Sequence, residues 1–118
     1  MTEEIRLRLE ATVRHVVELL VARDYQAIET LTDGVRLKKH EIEAGVLEYG
    51  RQLTAPPTGA YGLVDVVPIS KTSPPEYSIR FRLYTEEEGR SDLEIQATLI
   101  DTEKTSLMKV EFDNVLVA

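Results

Sequence analysis

Cysteine is absent from the 118-residue chain, and histidine occurs only at His15 and His40. No disulfide framework or thiolate metal site can form, and two histidines are too few for a protein-borne zinc centre of the usual composition. The fold must be held by packing, and a reducing, cytoplasmic setting is the expectation. Long apolar runs are also missing. The opening MTEEIRLRLE is charged at nearly every second position, which excludes the apolar core of a signal peptide, and no later stretch approaches membrane-spanning length. Basic clusters of the size that phosphate neutralisation needs are lacking too, which argues against a nucleic-acid partner. No nucleophile elbow, phosphate loop or dinucleotide fingerprint occurs. HEIEA at 40–44 begins like a zincin motif, but Ala44 stands where the second histidine belongs.

What the chain has in quantity is acid. Its net charge is -7, and the excess lies in the second half: residues 1–55 carry 8 basic against 10 acidic groups, and residues 56–118 carry 6 against 11. With 42% hydrophobic and 30% charged residues, the composition is that of one globular domain, spanning 1–118.

Two periodicities divide that domain. Ile5, Leu9, Val13, Val16, Val17 and Leu20 recur at spacings of three and four within 3–23, one stripe of a helix that Thr2 can cap. Asp24 can cap a short second helix through Leu31, ended at Thr32-Asp33-Gly34. Ile42, Val46, Tyr49 and Leu53 predict a third helix from about Lys39 to Leu53, before the breaker Ala55-Pro56-Pro57. Beyond it the period becomes two. Strands are predicted over 61–69, 77–84, 93–99 and 108–112. Folding about Glu88 pairs Leu83 with Leu93, Phe81 with Ile95, Ile79 with Ala97 and Tyr77 with Leu99, while Arg82 meets Glu94. Folding between Glu103 and Lys104 pairs Leu99 with Met108, Ala97 with Val110 and Ile95 with Phe112, and it lines up polar rows Arg82-Glu94-Asp113 and Arg80-Gln96-Glu111. The expected fold is α+β: three N-terminal helices packed on a curved antiparallel sheet of about four strands.

Four groups of residues invite a chemical reading. Glu86, Glu87, Glu88 and Asp92 offer oxygen ligands to a divalent ion, but their spacing matches no calcium loop. They are better read as the hydrated bend of a hairpin, with Gly89 supplying the special backbone angle, and no metal is expected. Arg36, Lys38, Lys39 and His40 gather where the third helix starts, where free N–H groups and positive side chains make an anion site; a solvated basic surface is the competing reading. Asp65 stands in an otherwise apolar strand. With Tyr25, Tyr49 and Tyr61 it could line a pocket as a general base or binding group, whereas plain alternation puts it on the solvated face. His15 falls on the polar edge of the first helix.

The order and length of these elements resemble the NTF2-like (cystatin-like α+β) cone architecture. "VVELLVARDYQAIETLTDG", "EYGRQLTAPP" and above all "LYTEEEGRSDLEIQATL" look like an uncharacterised bacterial domain family, departing from it at Tyr84, where a tryptophan is expected, and at Lys38-Lys39, where a small capping residue is usual. That family supplies no activity, cofactor or catalytic residue to carry over. The expectation is therefore a non-catalytic ligand-binding or protein-interaction module without a cofactor, its partner a small molecule, a protein or a second copy docked through the sheet. Some NTF2-like proteins are immunity partners of toxins, and the resemblance implies that an acidic face would suit a basic toxin. The alternative is a small pocket enzyme of isomerase or hydrolase type using Asp65 and tyrosines between sheet and helices.

Overall fold

The computed structural model describes residues 1–118 as three helices, α1 (Glu3–Val21), α2 (Tyr25–Thr32) and α3 (Lys39–Tyr49), followed by strands β1 (Leu53–Thr54), β2 (Asp65–Ile69), β3 (Glu76–Thr85), β4 (Gly89–Ile100) and β5 (Lys109–Val117). The class is α+β, as expected. The strands form one open antiparallel sheet in the order β1-β3-β4-β5, and β2 pairs with β3 further along the edge that β1 uses. No helix is long and apolar enough to cross a membrane.

Each helix begins and ends for a local reason. Thr2 Oγ1 accepts the Ile5 N–H at 3.2 Å, satisfying one of the orphan donors of α1. The stripe Leu9, Val13, Val16, Val17 and Leu20 is buried, and each such side chain contributes about 1.5–3 kcal/mol of transfer free energy. Asp24 caps α2 by accepting the Ala27 N–H at 3.1 Å, and left-handed residues at Asp33 and Gly34 end it. α3 stops at Tyr49, four residues short of the predicted end, because Gly50 turns left-handed at φ 73°. That turn frees Leu53 to pair with Thr85 in β1. The strand expected over 61–69 begins only at Asp65. Residues Thr58–Leu63 instead wind into a 3-10 turn whose Gly62 carbonyl accepts from the Arg6 guanidinium of α1 at 3.1 Å.

Pairing around the first hairpin follows the expected register from Tyr77↔Leu99 to Arg82↔Glu94, then breaks. Tyr84 faces Arg90 and Thr85 faces Gly89, so Leu83 and Leu93 are not partners. The irregularity is filled by Ser91, whose buried hydroxyl donates to the Leu83 carbonyl at 2.7 Å and accepts the Leu93 N–H at 3.1 Å. Backbone groups freed by the irregularity thus keep partners.

The second hairpin differs by two residues from the expected register: Leu99 pairs with Val110 and Ala97 with Phe112. A slip of two keeps every side chain on its face, so alternation cannot detect it. The deciding contacts lie on α1. Arg8 Nη1 holds the buried Asp101 carboxylate at 2.8 Å, and buried Thr12 Oγ1 accepts the Met108 N–H at 3.0 Å. Both ends of the 101–108 connection are therefore pinned to the helix. Further along, a bulge leaves Asp113 without an opposite residue between Ala97↔Phe112 and Gln96↔Asn114. It resets the alternation so that Val115 is buried rather than Asn114. α3 packs against this end of β5 so closely that a Cβ at Gly45 would run into Val115 Cγ1.

Candidate functional site

The tyrosines and Asp65 do not share a cavity. Between helices and sheet the space is filled by a single cluster of 25 buried apolar residues, and Asp65 is exposed on the opposite, outer face, across from Arg80. Strand alternation carries it there, so the internal pocket with Asp65 as its base does not form. Tyr61 stacks on Phe81, with 5.3 Å between ring centroids and 5° between planes, and the Arg14 guanidinium lies 4.5 Å from its centroid. Burial raises the Tyr61 hydroxyl pKa, Glu18 adding to the rise and Arg14 opposing it. Tyr25 is buried at the start of α2, where its hydroxyl has no hydrogen-bond partner. Burial raises its pKa as well, against the pull of Arg23 and with that of Glu43.

A measurable consequence follows for Tyr25. Tyr25→Phe removes an unpaired buried hydroxyl, so urea unfolding at pH 7 should show stability unchanged or raised by up to about 1 kcal/mol. The folded-state pKa of this tyrosine lies above its unfolded value near 10. The native state therefore holds the proton longer, and the contribution present below about pH 10 is lost as pH rises towards the folded pKa. The variant should gain on the wild type between pH 9 and 11; a constant difference would refute the assignment.

Of the four basic residues around the start of α3, Arg36, Lys38 and Lys39 are turned to separate partners within the chain. Arg36 Nε lies 2.7 Å from Asp113 Oδ1. Lys38 Nζ donates to the Gly34 carbonyl and Lys39 Nζ to Gln26 Oε1, at 2.7 and 2.8 Å, and His40 is exposed. Two of the backbone N–H groups that an anion would use are already taken: Lys38 donates to Glu41 Oε1 and Lys39 to Glu29 Oε2, at 2.9 and 2.7 Å. The chain's own carboxylates thus occupy part of the helix-start cradle.

The acidic tip is not simply hydrated. Glu88 accepts from the Tyr49 hydroxyl at 2.8 Å and from Thr85 Oγ1 at 3.1 Å, while Glu87 accepts the Gln52 N–H at 3.1 Å and the Glu86 N–H donates to the Gln52 carbonyl at 2.9 Å. Burial first, and then Glu88, raises the Tyr49 pKa. Glu87 and Glu88 clasp the end of α3 to the β3–β4 bend, which is a structural use for them. Nowhere do three or more His, Asp or Glu side chains converge as metal ligands would.

What the fold does assemble is a groove of about 560 Å³ on the outer face of the sheet, lined by Asp65, Arg80, Arg82, Arg90, Glu94 and Gln96 with an apolar rim of Leu63, Leu116 and Val117. Arg80 lies between Asp65 and Gln96, and Arg82 is directly across from Glu94. The side chains of Arg80 and Arg90 make no ion pair within the chain, while Arg82 reaches Asp92 at 3.5 Å. The expected polar rows would have neutralised these arginines with Asp113 and Glu111. The two-residue shift and the bulge send those carboxylates to Thr98 and Arg36 instead. The visible signal was Arg80 and Arg82 two apart on the wet face of one strand; the register hid their freedom.

A family model described as a domain of unknown function, DUF7668, matches residues 17–118. The chain belongs to this family. No curated protein and no solved structure matches it. The DUF7668 segment starts within α1 and takes in α2, α3 and the whole sheet, so every residue of the outer groove lies inside it.

Proposed function

We propose that the protein is a non-catalytic binding module, that its binding surface is the outer face of the sheet, and that its ligand carries anionic oxygen groups. One observation carries the reading. Three of the six basic residues in 56–118 line this groove, against two of the eleven acidic ones, in a chain of net charge -7. Such a local reversal of sign, with Arg80 and Arg90 unpaired, focuses an anion towards guanidinium forks that match carboxylate and phosphate oxygens. The groove volume lies in the range of about 300–1,000 Å³ usual for small-molecule sites. A cytoplasmic setting agrees with a chain that does without cysteine. The likeness to NTF2-like proteins in element order is compatible with this reading and adds no residue to it.

The test is a titration of 15N-labelled protein with glutarate and with inorganic phosphate. Amide shifts should gather in 80–82, 94–96 and 116–118, and the double reversal Arg80→Glu/Arg90→Glu should weaken binding at least about tenfold. Shifts spread over the helices, or a reversed variant that responds like the wild type, would end the reading.

A further inference from the structure

Resting on that reading, we infer that the ligand is a zwitterion, an acidic α-amino acid whose ammonium meets Glu94 while its carboxylates meet Arg80 and Arg90. Glu94 lines the groove yet is only 8% exposed. Its carboxylate accepts a single hydrogen bond, from the neutral Gln96 amide at 2.9 Å on Oε2. Only Oε2 has a partner within the chain, a neutral amide, so Oε1 is left for a donor or cation that the chain itself does not supply. The nearest cross-strand cation, Arg82, is turned to Asp92 instead. Arg80 stands opposite Asp65 and diagonal to Glu94 in the register without closing an ion pair to either. Charges of both signs are therefore held apart and uncancelled in one groove.

Diagonal neighbours across an antiparallel pair are about 7–8 Å apart. Arg80 and Glu94 are such a diagonal pair, a spacing that lets their long side chains approach the two ends of one amino acid. With Arg82 held by Asp92, the groove keeps two guanidiniums without an ion-pair partner, Arg80 and Arg90, one for each carboxylate of a glutamate or aspartate molecule. A plain dianion gains the arginines but meets repulsion from Glu94, so it should bind more weakly than the zwitterion, and a plain cation is repelled by Arg80 and Arg90. The apolar rim of Leu63, Leu116 and Val117 suits a short methylene chain.

Isothermal titration with L-glutamate, with glutarate, which lacks only the ammonium, and with inorganic phosphate separates the possibilities. Glutamate should bind about tenfold or more tightly than glutarate. Glu94→Gln should abolish that preference by weakening glutamate and, with the repulsion removed, tightening glutarate, whereas Arg80→Gln should weaken both. Glutarate or phosphate binding as tightly as glutamate, with loss in Arg80→Gln, would overturn the zwitterion and leave an anion site standing. Glutamate binding that neither substitution alters would overturn both readings, and no binding by any of the three would overturn the zwitterion.

Discussion

Arg8→Met should lower the free energy of unfolding by about 3 kcal/mol, the lower end of the 3–5 kcal/mol typical of breaking a buried ion pair. Methionine keeps the apolar stem of the arginine and removes the charge. Asp101 is left behind with its side chain 2% exposed, accepting only the Glu103 N–H at 3.1 Å where it had also held Arg8 Nη1 at 2.8 Å. The same substitution frees the Thr105 carbonyl, which accepts from Arg8 Nη2 at 3.1 Å. Because Arg8 itself keeps 21% of its side-chain exposure, part of the lost interaction was already screened, which places the effect at the lower end. Against a total stability of about 5–15 kcal/mol for a domain of this size, the loss is large. The double variant Arg8→Met/Asp101→Asn should recover at least about 1 kcal/mol, since the amide still accepts the Glu103 N–H and no buried charge remains. Urea unfolding of the single and double variants measures both. A loss below about 1 kcal/mol in Arg8→Met would mean that the 101–108 connection opens to water and is not pinned to α1 as described.

Phe112→Ala should cost about 3–5 kcal/mol by the same measurement, because Phe112 is fully buried and its removal leaves a cavity in a packed interior. The more telling result concerns the residue across from it. Ala97 is 2% exposed and faces Phe112 in the β4–β5 register, a small residue opposite a large one. Ala97→Leu alone should over-pack the site and cost about 1–3 kcal/mol. Combined with Phe112→Ala it should cost at least about 1 kcal/mol less than the two separate losses together, since the new side chain enters the space the ring vacates. In the register that alternation suggests, Phe112 faces Ile95 and Ala97 faces Val110. That pairing gives no such relief, so additive losses would overturn the β4–β5 pairing described above.

The two residues of β4 and β5 that this second experiment joins mark the limit of what the chain revealed unaided. All three helices were legible in apolar spacings, and the first two also in their capping residues, because a helix is decided by contacts three and four residues apart. The face of each residue in β3 and β4 was equally legible, because Tyr77, Ile79, Phe81 and Leu83 must all avoid water together. The early stop of α3 was hidden: Ile42, Val46, Tyr49 and Leu53 keep helical spacing past Gly50, and only the left-handed glycine and the pairing of Leu53 with Thr85 end it. The start of β2 was hidden because Tyr61 is held by Phe81 and the turn carrying it by Arg6, both distant in sequence. Among the candidate residues, Asp65 proved to be on the solvated side that alternation allowed it. The anion cradle at Arg36, Lys38, Lys39 and His40 could not be judged from a local run of charge, since Glu29 of α2 and Glu41 in the first turn of α3 take two of its N–H groups.

By itself, then, the order of residues determined the α+β class, the single apolar face of the sheet and the absence of thiol chemistry, because each follows from local periodicity or from composition. Tertiary structure alone decided which strand residues stand opposite one another, and with that which arginines are neutralised. Sliding one strand past another by two residues conserves every inside and outside assignment, so water has no preference between the registers. The choice falls to specific contacts such as Arg8 with Asp101 and Thr12 with Met108, made between residues more than ninety positions apart.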